Sequence, residues 1–186
     1  YYWYKLKKEV SIISEEFNEE KAFDYINLKL KNIQDPSSKI LFDMANISKN
    51  FKKYKVAIHY YNKLLLKENL NENSYAEILY RRGSCYERLK DFKNSDKDLQ
   101  DSILIRPNDA YTLNYLAYSW LERNYRIDEA ISMLDKAYKL KKNDPFILDS
   151  VGWGYFLIND FVNAEIFLKL AIQYMPDDPT VNEHYA

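Results

Sequence analysis

Apolar and small residues recur along this chain at spacings that a helix gathers onto one side. In the stretch 145–178, Val151, Gly152 and Tyr155 share one face of a helix. After a short break, Phe161, Ala164, Leu168 and Ala171 share one face of a second helix. The small residues stand where two backbones must approach, and the large ones fill the space between. Pro145 and Pro179 suit the first turn of a helix, where a missing N–H is no loss. Asp144 and Asp178, just before them, are natural caps, and Pro176 ends the helix it follows. The pattern predicts a helical hairpin.

The hairpin repeats. Pro145 and Pro179 are 34 residues apart, as are Ala130 and Ala164, and Ala137 and Ala171. Pro107 and Pro176 lie 69 apart, as do Gly83 and Gly152, each glycine followed three residues later by Tyr86 or Tyr155. Markers that share a fixed period define a repeat architecture. The units fall at about 3–37, 38–75, 76–109, 110–144 and 145–178, and residues 179–186 form a cap or the first helix of a sixth unit. One extra residue of 110–144 is expected in the turn Asn124-Tyr125-Arg126. The extra residues of 38–75 are expected in a loop at Asn71-Glu72-Asn73-Ser74, because a loop lengthens cheaply and a packed helix does not. One hairpin cannot bury its own apolar face, so neighbours stack over a continuous core. The expected fold is all-α, a single array over 1–186.

The unit at 145–178 resembles a tetratricopeptide repeat over its whole length, through Gly152, Tyr155, Phe161, Ala164, Leu168, Ala171 and Pro176. The unit at 76–109 keeps Gly83, Tyr86, Phe92, Leu99 and Pro107 but has Ser95 and Ser102 where alanine is usual. The unit at 110–144 has Ala117 for glycine and Lys142 for the closing proline. The unit at 38–75 keeps Leu41, Ala45, Tyr54, Ala57 and Tyr61, and the first unit only Leu6, Ala22 and Ile26. The stretches Asn114–Tyr118 and Asp149–Trp153 also resemble bacterial multi-repeat proteins, many of them exported. The resemblance implies a right-handed superhelix of stacked antiparallel pairs, a protein-binding scaffold without catalysis.

Composition supports a folded helical chain: 47% apolar, 30% charged, three glycines and five prolines in 186 residues. The net charge of −1 removes the simplest case for nucleic-acid binding, although residues 1–75 are net basic and 76–186 net acidic. No apolar run approaches the roughly 20 residues that cross a bilayer, so no membrane insertion is expected of this segment. The chain opens at Tyr1-Tyr2-Trp3-Tyr4 without a methionine, which reads as a fragment or mature form and leaves cytoplasm and periplasm both open. Catalytic chemistry is thin. The lone Cys85 beside Gly83 reads as a buried filler, and His59 and His184 read as structural or surface residues. One cysteine and two distant histidines make no zinc site, and Asp96, Asp98 and Asp101 read as solvated surface. No phosphate loop or other cofactor motif is present.

The resemblance implies that ligand contacts come from the first helix of each unit, on the face away from the second. Those positions are Phe42, Asn46, Lys49 and Asn50, then Glu77, Tyr80, Ser84, Glu87 and Arg88. Tyr111, Asn114, Tyr118 and Leu121 follow, then Phe146, Asp149, Trp153 and Phe156. The candidate groove is Tyr80, Tyr111, Asn114, Tyr118, Asp149, Trp153 and Phe156. Its aromatics pair an apolar body with a polar tip, and Asn114 suits a peptide backbone. The same rings would equally serve packing between neighbouring first helices. The family's carboxylate clamp is missing, with Asn46 and Arg81 as isolated fragments. The expected partner is a protein or peptide segment, with no nucleic acid and no cofactor. The alternatives are a structural module that oligomerises through its open ends and the docking segment of a longer enzyme. A related helical-hairpin class reads RNA, but the charge and the small-residue markers speak against it.

Overall fold

A computed structural model describes residues 2–16, 18–30, 33, 35–67 and 70–186. Among them are eleven helices and no strand. These are α1 (Tyr2–Glu16), α2 (Glu19–Leu30), α3 (Ser38–Asn50), α4 (Tyr54–Leu65), α5 (Glu72–Arg88), α6 (Phe92–Ile105), α7 (Ala110–Glu122), α8 (Ile127–Leu140), α9 (Pro145–Leu157), α10 (Phe161–Tyr174) and α11 (Pro179–Tyr185). The chain divides into two compact units, Tyr1–Ser95 and Asp96–Ala186.

Local chemistry sets the helix boundaries. Ser37, Asn71, Asp109, Asp144, Asp160 and Asp178 each cap a helix by accepting hydrogen bonds from its first free N–H groups. Four helices, α3, α5, α7 and α9, end in one motif. The residue after the C-cap takes a left-handed conformation at Lys52, Lys90, Asn124 and Asn159, with φ of 56°, 60°, 52° and 63°. Its N–H and the next one bond back to the last turn, as in Lys90 to Glu87 and Asp91 to Tyr86. This is the Schellman arrangement, in which glycine is usual. Here lysine and asparagine bear the strain, so the reversals were visible in the spacing but not in the residue types.

In the first unit, α1 pairs with α2 and α3 with α4, and α5 packs on α4. Leu6, Val10, Ala22 and Ile26 form a core with Met44 of α3. The hairpin with the weakest family pattern therefore buries its few matching residues as the others do. Leu41, Ala45, Ala57, Tyr61, Leu64, Ile78 and Cys85 continue the core through α3, α4 and α5. In the second unit, α7 pairs with α8 and α9 with α10, α9 packs on α8 and α7, and α11 lies on α10 and α9.

The α9–α10 crossing shows why small residues recur. A Cβ on Gly152 would stand 2.6 Å from Leu168 Cγ and 2.9 Å from the Leu168 backbone nitrogen. A backbone atom cannot swing aside, so the crossing requires glycine. Gly154 is crowded too, but by the side chains of Ile131, Leu134 and Leu121.

Two expectations need correction. Residues 72–74 are not a loop but the first turn of α5, capped by Asn71, and α5 runs 17 residues where α3, α7 and α9 run 13. The insertion lengthened a helix because Asn71 offered a cap one turn early. The acidic cluster is not a solvated surface as a whole: Asp98 is buried, and Asp96 accepts a 2.7 Å bond from Arg123. The extra residue at 124–126 does fall in a turn, where Arg126 takes φ 47° and stacks over Trp120 at 4.6 Å.

Gly152→Leu should overpack the α9–α10 crossing and cost about 1–3 kcal/mol or more, seen as a lower midpoint in thermal unfolding. Lys90→Gly should act in the opposite direction. It relieves a left-handed lysine and is expected to raise stability by about 1 kcal/mol in denaturant titration.

Candidate binding face

Six of the seven groove candidates lie in the second unit, on α7 and α9. Tyr111 is 45% exposed, its hydroxyl donates to Asp144 Oδ2 at 2.9 Å, and the Lys141 ammonium lies 4.8 Å over its ring. One turn on, the Asn114 side-chain oxygen is buried and meets no hydrogen-bond donor among the described residues. Tyr118 follows, half-buried, its ring centroid 6.2 Å from that of His184. On α9, Trp153 donates from Nε1 to Glu122 Oε1 at 2.8 Å and is the middle ring of a stack. Phe156 lies 5.2 Å from it and His184 4.4 Å. Phe156 is 43% exposed and touches Phe161 edge-on. Phe146, at the start of α9, is also exposed.

Asp149 is only 6% exposed. His184 of α11 donates from Nδ1 to both of its oxygens at 3.0 Å. Burial of the imidazole opposes its charge. The hydrogen bond and charge of Asp149, with Glu122 and Glu183 beyond, outweigh that burial and raise the histidine above its ordinary value. His184 therefore covers the C-terminal part of the α9 face, holding Asp149 on one side and Trp153 on the other. Sequence reasoning set His184 aside as an isolated histidine. The signal lay close to the period: Asn114 and Asp149 hold the same register position 35 residues apart, and His184 follows Asp149 by 35, one position beyond the 34-residue step from Pro145 to Pro179.

Tyr80 belongs to the first unit, where the Lys49 ammonium lies 5.9 Å over its ring. Burial lowers the Lys49 ammonium below its usual value. On the same unit, Asn46 Oδ1 accepts from the Tyr61 hydroxyl at 2.7 Å and from Arg81 at 3.2 Å, and Arg81 also holds Glu77 at 2.6 Å. The two residues that read as isolated are thus joined, but their polar atoms serve each other. A cavity of about 410 Å³ opens beside them, lined by Phe42, Leu64, Leu70 and Ile78 with Ser38 and Asn73 at its rim. Ser84 and Leu121, placed on the inner face from sequence, are buried instead. The Cys85 thiol is buried and pushed up to about 11 by that burial, which suits a packing role and not a nucleophile. His59 is exposed. Among the described residues no group of histidine, cysteine and carboxylate side chains is placed to hold a metal ion, and no helix is long and apolar enough to cross a membrane.

The stacked hairpins and their 34-residue markers meet the comparisons here. Residues 76–109 match the family model of the tetratricopeptide repeat. The chain carries a tetratricopeptide repeat at 76–109, and its fold is that of solved tetratricopeptide repeat structures. A TPR repeat-containing protein of Pseudomonas aeruginosa, PA4667, is 38% identical over 100 residues, which is 54% of this chain and 17% of that protein. The chain thus aligns with a minor part of that relative's length. Among solved structures, MamA of Desulfovibrio magneticus RS-1 superposes with a TM-score of 0.69 at 16% identity, covering 94% of this chain and 95% of that one. A tetratricopeptide repeat protein of Parabacteroides merdae gives 0.72 at 16% identity over 98% of this chain and 70% of that one. YrrB, described as a TPR protein with an unusual peptide-binding site, gives 0.63 at 18% identity over 94% and 87%. At these identities the likeness concerns the fold.

The His184–Asp149 pair has a pH signature. A histidine raised above its unfolded value stabilises fully below about pH 6.5, and the contribution is lost as pH rises through the native value. Docking of α11 should therefore be firmer in mild acid than in mild alkali. Amide protection factors across α11, corrected for intrinsic exchange, should fall between those conditions, and Asp149→Asn should flatten the dependence.

Proposed function

We propose that this tetratricopeptide repeat protein is a non-catalytic scaffold that takes an extended or helical segment of another protein on the α7–α9 face of its second unit. The family fold supports protein–protein interaction in general. The observation that carries the finer reading is the set of exposed and half-exposed rings on consecutive first helices, Tyr111, Tyr118, Trp153 and Phe156. Large aromatic rings are the usual anchors of protein contacts. YrrB, of similar fold, is described as peptide-binding, which is in keeping with this assignment.

Asp149 is best read as a positioning residue. It holds His184, which supports the Trp153 ring from behind. The anchors open to a partner are then Tyr111 and Phe156 at the two ends of the face, with Tyr118 between.

The partner is to be captured with the chain as bait and the affinity measured by calorimetry. Tyr111→Ala and Phe156→Ala should each leave helix content unchanged in circular dichroism. Each should weaken binding by about 2 kcal/mol, roughly thirtyfold. A folded Tyr111→Ala/Phe156→Ala protein that binds as before would remove the face from consideration.

A further inference from the structure

The second helices carry an outward stripe whose chemistry changes at α10. Counting from the first residue of each helix, positions two, six and ten lie one turn apart and share a side. In α4 these are Lys55, His59 and Lys63, in α6 Lys93, Lys97 and Asp101, and in α8 Asp128, Ser132 and Lys136. The first two of each set are exposed. In α10 the same positions are Val162, Ile166 and Leu170, and Val162 is 73% exposed and Ile166 51%. Packing of the hairpin does not demand apolar residues here, since three other helices keep the stripe polar.

Exposed apolar neighbours enlarge the stripe into a patch. Ile158, 41% exposed, closes α9 just before α10, and Phe161, 56% exposed, opens α10 next to Val162. Single exposed apolar residues are ordinary, but a contiguous patch marks a contact surface.

We propose that this face of α10 is where a second copy of the chain docks, with the two α10 helices antiparallel about a two-fold axis near Ile166. The charges beside the stripe argue for a copy over an unrelated partner. Glu165 and Lys169 are exposed on one flank, one helical turn apart and opposite in sign. A two-fold axis between them brings Glu165 of each copy to Lys169 of the other while Ile166 meets its equivalent. An isologous contact must be self-complementary in this way, and α10 already is. The patch borders the α7–α9 face where Phe161 touches Phe156, and the charge exchange on α10 tests it separately from that face.

Sedimentation of the 186-residue chain over an about hundredfold concentration range tests it. A monomer–dimer equilibrium is expected. Ile166→Glu should shift it to monomer with unchanged helix content. Glu165→Lys should weaken the dimer by like-charge contact, and Glu165→Lys combined with Lys169→Glu should restore it. A chain that stays monomeric throughout would overturn the proposal, including one that binds lipid vesicles or another protein through this patch. A dimer indifferent to Ile166→Glu, or a charge exchange that fails to restore association, would overturn it equally.

Discussion

The close crossing of the two helices in a hairpin is the constraint on which the rest of this protein depends. At Gly152 the backbone of α10 comes so near that a single added carbon would strike the Leu168 nitrogen. A crossing this tight lets Tyr155 and Phe167 stack beside it at 5.7 Å and brings Tyr138 of α8 against Phe167 at 5.1 Å. The contact inside one hairpin thereby sets the contact with the hairpin before it. Where the small residue is alanine or serine, as at Ala117 and Ser95, the side chain is still fully buried. Period and crossing are two descriptions of one requirement: each unit must return a small residue to the same place.

That requirement is why so much of the fold was legible. Small residues, prolines and aspartate caps are local and repetitive, and each has one physical job. The features that escaped are those in which a residue does an unusual job. Asn71 starts α5 early because it offers a cap, and an asparagine ahead of a polar stretch reads equally as a loop. Lysine at the left-handed position of α5 conceals a turn that glycine would have announced. Asp98 lies buried among residues that look solvated.

The candidate face divides along the same line. Its rings were placed by register, which is a consequence of stacking. Their occupancy by neighbours was not legible, since it depends on where α11 lies. His184 illustrates the limit. It looked solitary because sequence distance hid a partner 35 residues away, yet that distance is within one residue of a repeat. In a stacked array a polar residue should be compared first with the residues one period before it. That comparison pairs His184 with Asp149, and it separates a buried positioning contact from the open rings of Tyr111 and Phe156.

On the function proposed above, the first helices of the second unit receive a protein segment. Hydrogen exchange of the chain with and without its captured partner tests this most directly. New protection is expected in α7 and α9, over Ala110–Glu122 and Pro145–Leu157, with α8 and α10 unchanged by that partner. Protection confined to α8 and α10, or absent from the second unit, would contradict it.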